Sequence, residues 1–437
     1  MNKVISIITL SLFVTAATAQ RRWTLDDCVS YAVTHATTVG KAEVSAAQKR
    51  ADARLTRLSL LPTLEGAVAA QYSWGRNIDP ETNTYDNVTT FNNYYQLQAS
   101  LTLFDGGQTL RAFKLARLNR EQSATALEKA RDDKALEVMS RFIDAVYAQK
   151  SIRLAEAKLS DSQALLHKTQ RLFELGSKSK PDVAQVQSQV ATDDYNLLHQ
   201  QNEYRKAMLA LRSSMNFNDA DSLELDPDFS SLASPRPDTL GLSGGDAAVR
   251  IAQMEASKAR LQWQDSRAAL LPRLSLGAGL YTSYYKNFSQ SPSAYPSFGR
   301  QLDNNLGEYV AVTLSIPIFN VSNLRNLRKA KADRDAAALD LAEARRQLHD
   351  DRQQALLDRN GYAREVEQMK DKVDADSLAW HLARRKYEEG MLSVFDLQTT
   401  TQTLLESRIK LLQMQLMLVM KQRLVDYYRG CPLWTMR

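Results

Sequence analysis

Two short stretches of the sequence are related: Leu-Gly-Ser-Lys-Ser-Lys-Pro-Asp-Val at residues 175–183 and Glu-Gly-Met-Leu-Ser-Val-Phe-Asp-Leu at residues 389–397. In both, a glycine, a serine and an aspartate follow one another at three-residue steps. Glycine readily takes the left-handed conformation that ends a helix. A serine caps the following helix, and an acidic residue three positions later completes the cap. Both stretches therefore predict a tight reversal between helices, and the chain is expected to have two related halves with one reversal each.

Composition narrows the class of protein. The chain has 437 residues, of which 44% are hydrophobic, and a formal net charge of +6. The basic residues are spread along helical segments and form no basic runs, so nucleic acid is not indicated as a partner. The five histidines are scattered, and the sequence has no HExxH motif, no Cys/His pair at zinc spacing and no glycine-rich phosphate loop. We therefore expect no enzyme, no catalytic residue, no cofactor and no metal.

The N-terminus has the features of an export signal. An apolar run over 4–14 is followed by the small residues Ala17-Thr18-Ala19, which offer a cleavage site, so 1–19 is predicted to be a signal peptide. No later stretch has the roughly 20 uninterrupted apolar residues of a membrane-spanning helix, and any membrane span is expected to be β. Export also permits a disulfide between Cys28 and Cys431, which the sequence leaves open.

Each half contains two segments in which apolar and polar residues alternate, the pattern of a strand with one apolar face. The predicted strands are 63–74 and 94–104 in the first half and 273–285 and 308–318 in the second. Polar loops are predicted between them, over 76–92 and 286–307. Each half is therefore expected to carry one hairpin.

Long segments without proline follow each hairpin and predict helices. The first repeat, 20–215, is predicted to hold a long helix at 108–175 and a return helix at 180–215; the second, 246–430, a long helix at 323–389 and a return helix at 394–428. A linker rich in proline and glycine at 216–245 separates the repeats, and a tail follows at 431–437. A continuous helix over 108–175 would be on the order of 100 Å long, more than a compact globular domain accommodates.

The strand pattern suits a membrane barrel with lipid outside and water inside. Because about eight strands is the smallest usual closed barrel, four strands have to be pooled between subunits. Aromatic residues near the strand ends fit interfacial girdles: Tyr72, Trp74, Tyr94, Tyr95, Tyr284, Tyr285 and Tyr309. An antiparallel sandwich packed on helices has the same alternation and stays open as an alternative, although it gives the long helices no purpose.

After one signal peptide, the ordered series of helix, Leu-Pro step, strand pair, long helix, reversal and return helix occurs twice. This arrangement resembles the TolC-like outer-membrane efflux proteins over essentially the whole chain after the signal. The Leu-Pro steps are Leu61-Pro62 and Leu271-Pro272. The resemblance implies a mainly α protein with membrane β: a homotrimer whose 12-stranded β-barrel, four strands per chain, is continued by a long α-helical periplasmic tunnel. It also implies an exit duct of a tripartite efflux pump, in which a periplasmic adaptor and an inner-membrane transporter are the partners and the outer-membrane lipid surrounds the barrel.

The same resemblance assigns roles to residues at the reversals. Gly176, Ser179, Gly390 and Ser393 fall at the periplasmic tip where the adaptor is expected to dock, and Asp182, Tyr387 and Asp396 fall at positions of the periplasmic gate. Near the second reversal, two positions depart from the family pattern. Thr399 stands where a second acidic residue is expected, and Leu392 stands where a latch arginine is expected. The serines and aspartates can also be helix caps alone.

Two other functions stay open at this point. An outer-membrane duct for type I protein secretion has the same architecture with a different cargo. A secreted coiled-coil scaffold accounts for the long helices but predicts neither the amphipathic strands nor their repetition.

Overall fold

A computed structural model describes residues 22–78, 83–218, 223–226, 244–288, 296–431 and 433–434. The predicted signal peptide at 1–19 lies outside the described residues. So do 219–222 and 227–243 of the predicted linker, and 432 and 435–437 of the predicted tail. The described residues form two compact units, one helical and one containing a four-stranded sheet.

The elements follow one another along the chain with few interruptions. The helices are α1 (Leu25–His35), α2 (Thr37–Leu55), α3 (Gln108–Glu174), α4 (Lys180–Met215), α5 (Ala247–Ala268), α6 (Phe298–Asn304), α7 (Val321–Glu388) and α8 (Val394–Tyr428). The strands are β1 (Arg22–Trp23), β2 (Thr63–Ile78), β3 (Tyr85–Phe104), β4 (Glu224–Leu225), β5 (Arg273–Asn287) and β6 (Gly307–Ser315). The two long helices have 67 and 68 residues, and α7 is continuous through Gly361.

The sheet unit consists of Ala42–Leu127 and Ala247–Gln347. Its four strands lie in the order β2-β3-β5-β6 and every neighbouring pair is antiparallel. Arg111 forms an ion pair with Asp265 where α3 begins. Asp105 accepts hydrogen bonds from the backbone of Gly107 and Thr109, at 3.0 and 2.8 Å, and so caps α3 directly after β3.

One face of this sheet is apolar and the other polar, because successive residues of a strand point to opposite faces. The register places Leu64 beside Ala99, and Ala99 beside Ala278, on the apolar face. On the polar face Gln98 donates to Glu65 at 3.2 Å. The apolar face is uncovered in the single chain: Trp74 is 75% exposed and Val310 77% exposed.

The aromatic residues expected at girdles divide between the two faces. Tyr72, Trp74, Tyr95 and Tyr284 lie on the apolar face, whereas the register places Tyr94, Tyr285 and Tyr309 on the polar face. On the apolar face the Tyr72 ring contacts the rings of Trp74, Phe91 and Phe288 at centroid distances of 5.9, 6.4 and 5.4 Å. These contacts form an aromatic cluster toward the hairpin ends of β2 and β3.

The hairpins differ from the prediction in three places. The predicted polar loop at 76–92 is mostly strand, since β2 continues to Ile78 and β3 begins at Tyr85. Pairing between the two strand backbones continues there whatever the polarity of the side chains, and β-branched Val88, Thr89 and Thr90 favour it. The predicted loop at 286–307 contains helix α6. Strand β6 ends at Ser315, before the predicted end at 318.

The helical unit comprises the described parts of Met1–Lys41, Glu128–Asp246 and Leu348–Arg437. Its main core is apolar and includes Phe142, Leu211 and Met215, which are at most 1% exposed. Cys28 is buried in this core and Cys431 packs against it, but no disulfide joins them. None of the helices in the described chain combines the length and the apolar content needed to cross a membrane.

A second, smaller apolar cluster lies beside the two reversals. We call it the tip cluster; its buried members are Val186, Tyr387, Val394 and Leu397. It joins α4, α7 and α8, and Leu165 and Leu166 of α3 pack against it. The reversals are therefore attached to one another by a core of their own.

Candidate functional site

The first reversal connects α3 to α4 and has the predicted cap chemistry. Gly176 has φ +77°, and no atom lies within 4 Å of the position that a Cβ would occupy, so the backbone angle alone requires glycine. The Ser177 amide donates to the Leu172 carbonyl at 2.8 Å, which completes the C-terminal cap of α3. The Ser179 amide donates to Asp182 Oδ2 at 2.9 Å, and the Asp182 amide donates to Ser179 Oγ at 3.4 Å.

The second reversal connects α7 to α8 with the same backbone geometry. Gly390 has φ +78° and equally open surroundings. The Met391 amide donates to the Lys386 carbonyl at 2.8 Å. Ser393 caps α8, because the Asp396 amide donates to Ser393 Oγ at 3.1 Å and that hydroxyl donates to Asp396 Oδ2 at 2.7 Å. The two glycines and two serines assigned to the tip therefore all hold turn positions.

A buried hydrogen bond connects α3 to α7 just before the reversals. Tyr387 and Thr169 are both 0% exposed, and their hydroxyl oxygens are 2.8 Å apart. The Thr169 hydroxyl donates to the Leu165 carbonyl at 2.8 Å, so Tyr387 is the donor in the bond between the two side chains. Burial raises the pKa of Tyr387, which keeps its proton available for donation.

Charged residues flank this bond. Lys168 and Glu388, the sequence neighbours of Thr169 and Tyr387, form an ion pair of 3.3 Å, and the hydrogen bond from Lys168 lowers the pKa of Glu388. The Lys178 ammonium lies 4.5 Å from the centre of the Tyr387 ring. We call Lys168, Thr169, Tyr387 and Glu388 the α3–α7 clasp, because these four residues join the last turns of the two long helices.

The structure gives the other predicted gate residues local partners. The Asp182 carboxylate bonds to Ser179, and these hydrogen bonds lower its pKa. The Asp396 carboxylate accepts from Ser393. Thr399 is exposed, and its hydroxyl donates to the carbonyl of Phe395 one turn earlier.

Thr169 is a residue of the clasp that the sequence analysis does not name, and the structure gives Leu392 an apolar contact. Leu392, at the position of the expected latch arginine, packs against the tip cluster. Thr169 is buried on α3, as is Ser162 seven residues earlier, and this burial is visible only in the structure.

Among the described residues, no group of three or more His, Cys, Asp or Glu side chains is arranged to hold a metal ion. What the reversals bring together is one buried hydrogen bond, one ion pair and a small apolar cluster. This arrangement can hold helices together or release them.

A protein-family model described as outer membrane efflux protein matches residues 29–216 and 244–423. These two stretches cover most of the chain and leave the linker region between them unmatched. The pyoverdine export outer membrane protein OpmQ of Pseudomonas putida is 24% identical over 321 residues, which cover 70% of this chain and 62% of the relative. The chain thus spans less than two thirds of that relative's length.

Two solved structures have the same fold. CusC, described for its folding and transmembrane channel formation, superposes with a TM-score of 0.78 at 18% identity, over 93% of this chain and 91% of CusC. The outer membrane protein VceC of Vibrio cholerae superposes with a TM-score of 0.78 at 15% identity, over 94% of this chain and 96% of VceC. At such identities the likeness concerns the fold alone.

Proposed function

This chain belongs to the outer membrane efflux protein family, and on that premise we propose that it is the outer-membrane exit duct of a tripartite efflux pump. The proposed duct conducts solutes passively from an inner-membrane transporter, through a periplasmic adaptor, to the outside. Its role is transport without catalysis.

The uncovered apolar face of the sheet is the observation that carries the proposal. Burying such a face in lipid, with the polar face toward water, is favourable for a closed barrel. The edge strands β2 and β6 each pair on one side only within the described chain. We propose that they pair with neighbouring copies, so that three four-stranded sheets form a 12-stranded barrel in a homotrimer.

The long helices and the reversals are the evidence for the periplasmic part of the proposed assembly. In the proposal, α3, α4, α7 and α8 of three copies form a periplasmic tunnel, and the two halves of each chain are structural repeats. The reversals expose apolar side chains: Leu175 is 73% exposed, Met391 67% and Phe395 66%. Exposed apolar groups of this size fit a protein contact, and we propose that the adaptor docks there, around Gly176, Ser179, Gly390 and Ser393.

The gate is proposed to lie at the same end. The α3–α7 clasp holds the two helical hairpins of one chain together, and Asp182 and Asp396 contribute carboxylates at the mouth. In a trimer Asp396 occurs three times around the axis, which favours entry of cations. Cation selectivity in planar bilayers that is the same for Asp396→Asn and the unmodified protein would remove this assignment.

A small-molecule cargo is proposed over a protein cargo, because the Pseudomonas putida relative is named for pyoverdine export. This is a statement about the class of cargo and not about pyoverdine itself.

The assignment of the apolar face to lipid is tested by placing an arginine on one face of β2 at a time. Val68 lies on the apolar face and Ala69 on the polar face, and both are exposed in the single chain. An arginine facing lipid near the bilayer midplane costs about 2–4 kcal/mol, whereas one facing the lumen is tolerated. Val68→Arg should therefore lose most of the trimer that unheated gels detect in the outer-membrane fraction, while Ala69→Arg retains trimer and conducts. Equal trimer yields from the two variants would rule out the lipid-facing assignment.

A further inference from the structure

A cavity of about 490 Å³ lies between α3, α4, α7 and α8 in the helical unit. Three members of the clasp, Lys168, Tyr387 and Glu388, form part of its wall. Its volume is within the range of about 300–1,000 Å³ that small-molecule sites have. Neither the sequence patterns nor the proposed duct gives it a role.

A buried carboxylate in the cavity wall has an unused acceptor. The Asp193 side chain is 1% exposed; its Oδ1 accepts from Gln189 at 2.9 Å and pairs with Lys158 at 3.3 Å. Its Oδ2 is buried and has no hydrogen-bond partner within the described chain. Buried polar atoms nearly always have a partner, so this oxygen is an acceptor for a donor from outside the described residues.

A buried amide in the same wall has an unused donor. Gln398 Oε1 accepts from Gln185 at 3.2 Å. Its Nε2 is buried, and the described residues give it no acceptor. The cavity wall therefore contains two polar atoms that have no partner among the described residues. They are Asp193 Oδ2, an anionic acceptor on α4, and Gln398 Nε2, a neutral donor on α8.

The remaining wall combines apolar surface with a small excess of negative charge. Leu165, Trp380 and Leu397 supply the apolar part, and the Trp380 indole N–H is already satisfied by Thr401 at 3.1 Å. Four carboxylates and three basic side chains line the cavity, so one cation would balance the charge. A ligand that matches this wall has an apolar body and a single positive charge.

We propose that this cavity binds a small organic monocation that combines an ammonium group, an aromatic or aliphatic body and a carbonyl group. The ammonium donates to Asp193 Oδ2, the carbonyl accepts from Gln398 Nε2, and the body packs against Leu165 and Trp380. Because Tyr387 and Glu388 belong to the same wall, an occupant stabilises the arrangement in which α3 and α7 are joined. This effect on conduction rests on the proposed gate, whereas the binding itself does not.

The test uses the full-length protein in detergent and L-tryptophanamide as the probe. At pH 6.5, about one unit below the usual pKa of an α-amino group, most of the probe carries an ammonium. Isothermal titration calorimetry should give saturable binding of one probe per chain. N-acetyl-L-tryptophanamide keeps the indole and the carbonyl but lacks the charge, and it should bind about tenfold more weakly or worse.

Two variants locate the binding. Asp193→Asn should weaken binding of L-tryptophanamide about tenfold or more, while Asp194→Asn, at the exposed neighbouring position on α4, leaves it unchanged. Gln398→Leu removes the second contact without altering the ion pair of Lys158, and it should also weaken binding. This variant keeps the proposal testable if Asp193→Asn yields no folded protein.

Absence of saturable heat with the unmodified protein, or equal affinity in Asp193→Asn and Asp194→Asn, overturns the proposal. Conductance of the same preparation in planar bilayers keeps this result apart from the duct. A preparation that conducts but does not bind contradicts only the cavity site, and one that binds but does not conduct contradicts only the duct.

Discussion

The two reversals have the same backbone geometry but are stabilised differently. Gly176 and Gly390 differ by one degree in φ. In the first reversal the cap works in both directions, since Ser179 receives a bond from the Asp182 amide and its own amide donates to the Asp182 carboxylate. In the second, Ser393 receives the bond from the Asp396 amide, and the carboxylate bonds to the serine hydroxyl. The first reversal thus has the more complete local cap.

The second reversal, in contrast, has more buried apolar side chains beside it than the first. Three of the four buried residues of the tip cluster, Tyr387, Val394 and Leu397, belong to the helices beside the second reversal, and the first contributes Val186 alone. The comparison teaches that one turn sequence can be fixed either by hydrogen bonds within a few residues or by apolar contacts with distant ones. Changes to the cap should therefore affect mainly the first reversal, and changes to apolar volume mainly the second.

The largest effect is expected from Leu397→Ala. Leu397 is 4% exposed in the tip cluster, and truncating a buried leucine costs about 2–5 kcal/mol. Hydrogen exchange of peptides from the first turns of α8 should be accelerated accordingly. Leu175→Ala is the matched control, because Leu175 is 73% exposed beside the first reversal; it should change local stability by no more than about 0.5 kcal/mol. Equal acceleration by the two variants would mean that the tip cluster does not hold the second reversal.

The next effect concerns the α3–α7 clasp, which crosses between the two reversals. Thr169→Val and Tyr387→Phe each remove one hydroxyl from a buried pair. Thr169→Val leaves the buried Tyr387 hydroxyl without its acceptor, at a cost of about 1–3 kcal/mol. Replacing both partners by apolar groups of similar shape is less costly than the sum of the single changes. We therefore expect both single variants to open more often than the unmodified protein in single-channel recordings, and the double variant to open less often than additivity predicts.

The control for the clasp is Tyr195→Phe, which removes the hydroxyl of a tyrosine that is 67% exposed on α4. This variant should conduct like the unmodified protein. Strict additivity of Thr169→Val and Tyr387→Phe would show that the two hydroxyls act independently. Unchanged opening in both variants would show that the bond between these hydroxyls does not hold the gate shut.

Local sequence was sufficient to predict the turns. The steps from Gly176 to Ser179 to Asp182 describe contacts three residues apart, so the pattern contains the whole interaction. The bounds of the long helices also agree closely with the predicted ones. Helix α3 spans Gln108–Glu174, where 108–175 was predicted, and α7 spans Val321–Glu388, where 323–389 was predicted. The resemblance to the efflux family is confirmed by the match over most of the chain.

Contacts between residues far apart in the sequence were harder to predict. The predicted loop at 76–92 became strand because pairing with the neighbouring strand, and not side-chain polarity, decides where a hairpin ends. Thr169 and Tyr387 are 218 residues apart, and which face of α3 meets which face of α7 depends on the helical phase of two 67- and 68-residue helices. The sequence therefore indicated Tyr387 through the family resemblance but gave no partner for it.

The smallest expected effect is a pH dependence that separates the two caps. Hydrogen bonds from Ser179 hold the pKa of Asp182 below its usual value, which in an unfolded chain is about 3.9. A carboxylate with a lowered pKa in the folded state contributes stability above the unfolded value, and this contribution is lost as the pH falls through the folded pKa. Opening of the first reversal should consequently increase below about pH 4, and Asp182→Asn should remove most of that increase.

Asp396→Asn is the control, because it changes the aspartate of the less complete cap and leaves Ser179 and Asp182 intact. It should keep the acid-induced opening of the first reversal, measured by hydrogen exchange of peptides covering 175–183 after correction for the intrinsic rate at each pH. The lowered pKa of Glu388, held by Lys168, adds a slope of the same sign in both variants and so does not affect their difference. Identical pH profiles for Asp182→Asn and Asp396→Asn would show that the reciprocal bond to the Ser179 amide does not distinguish the two reversals.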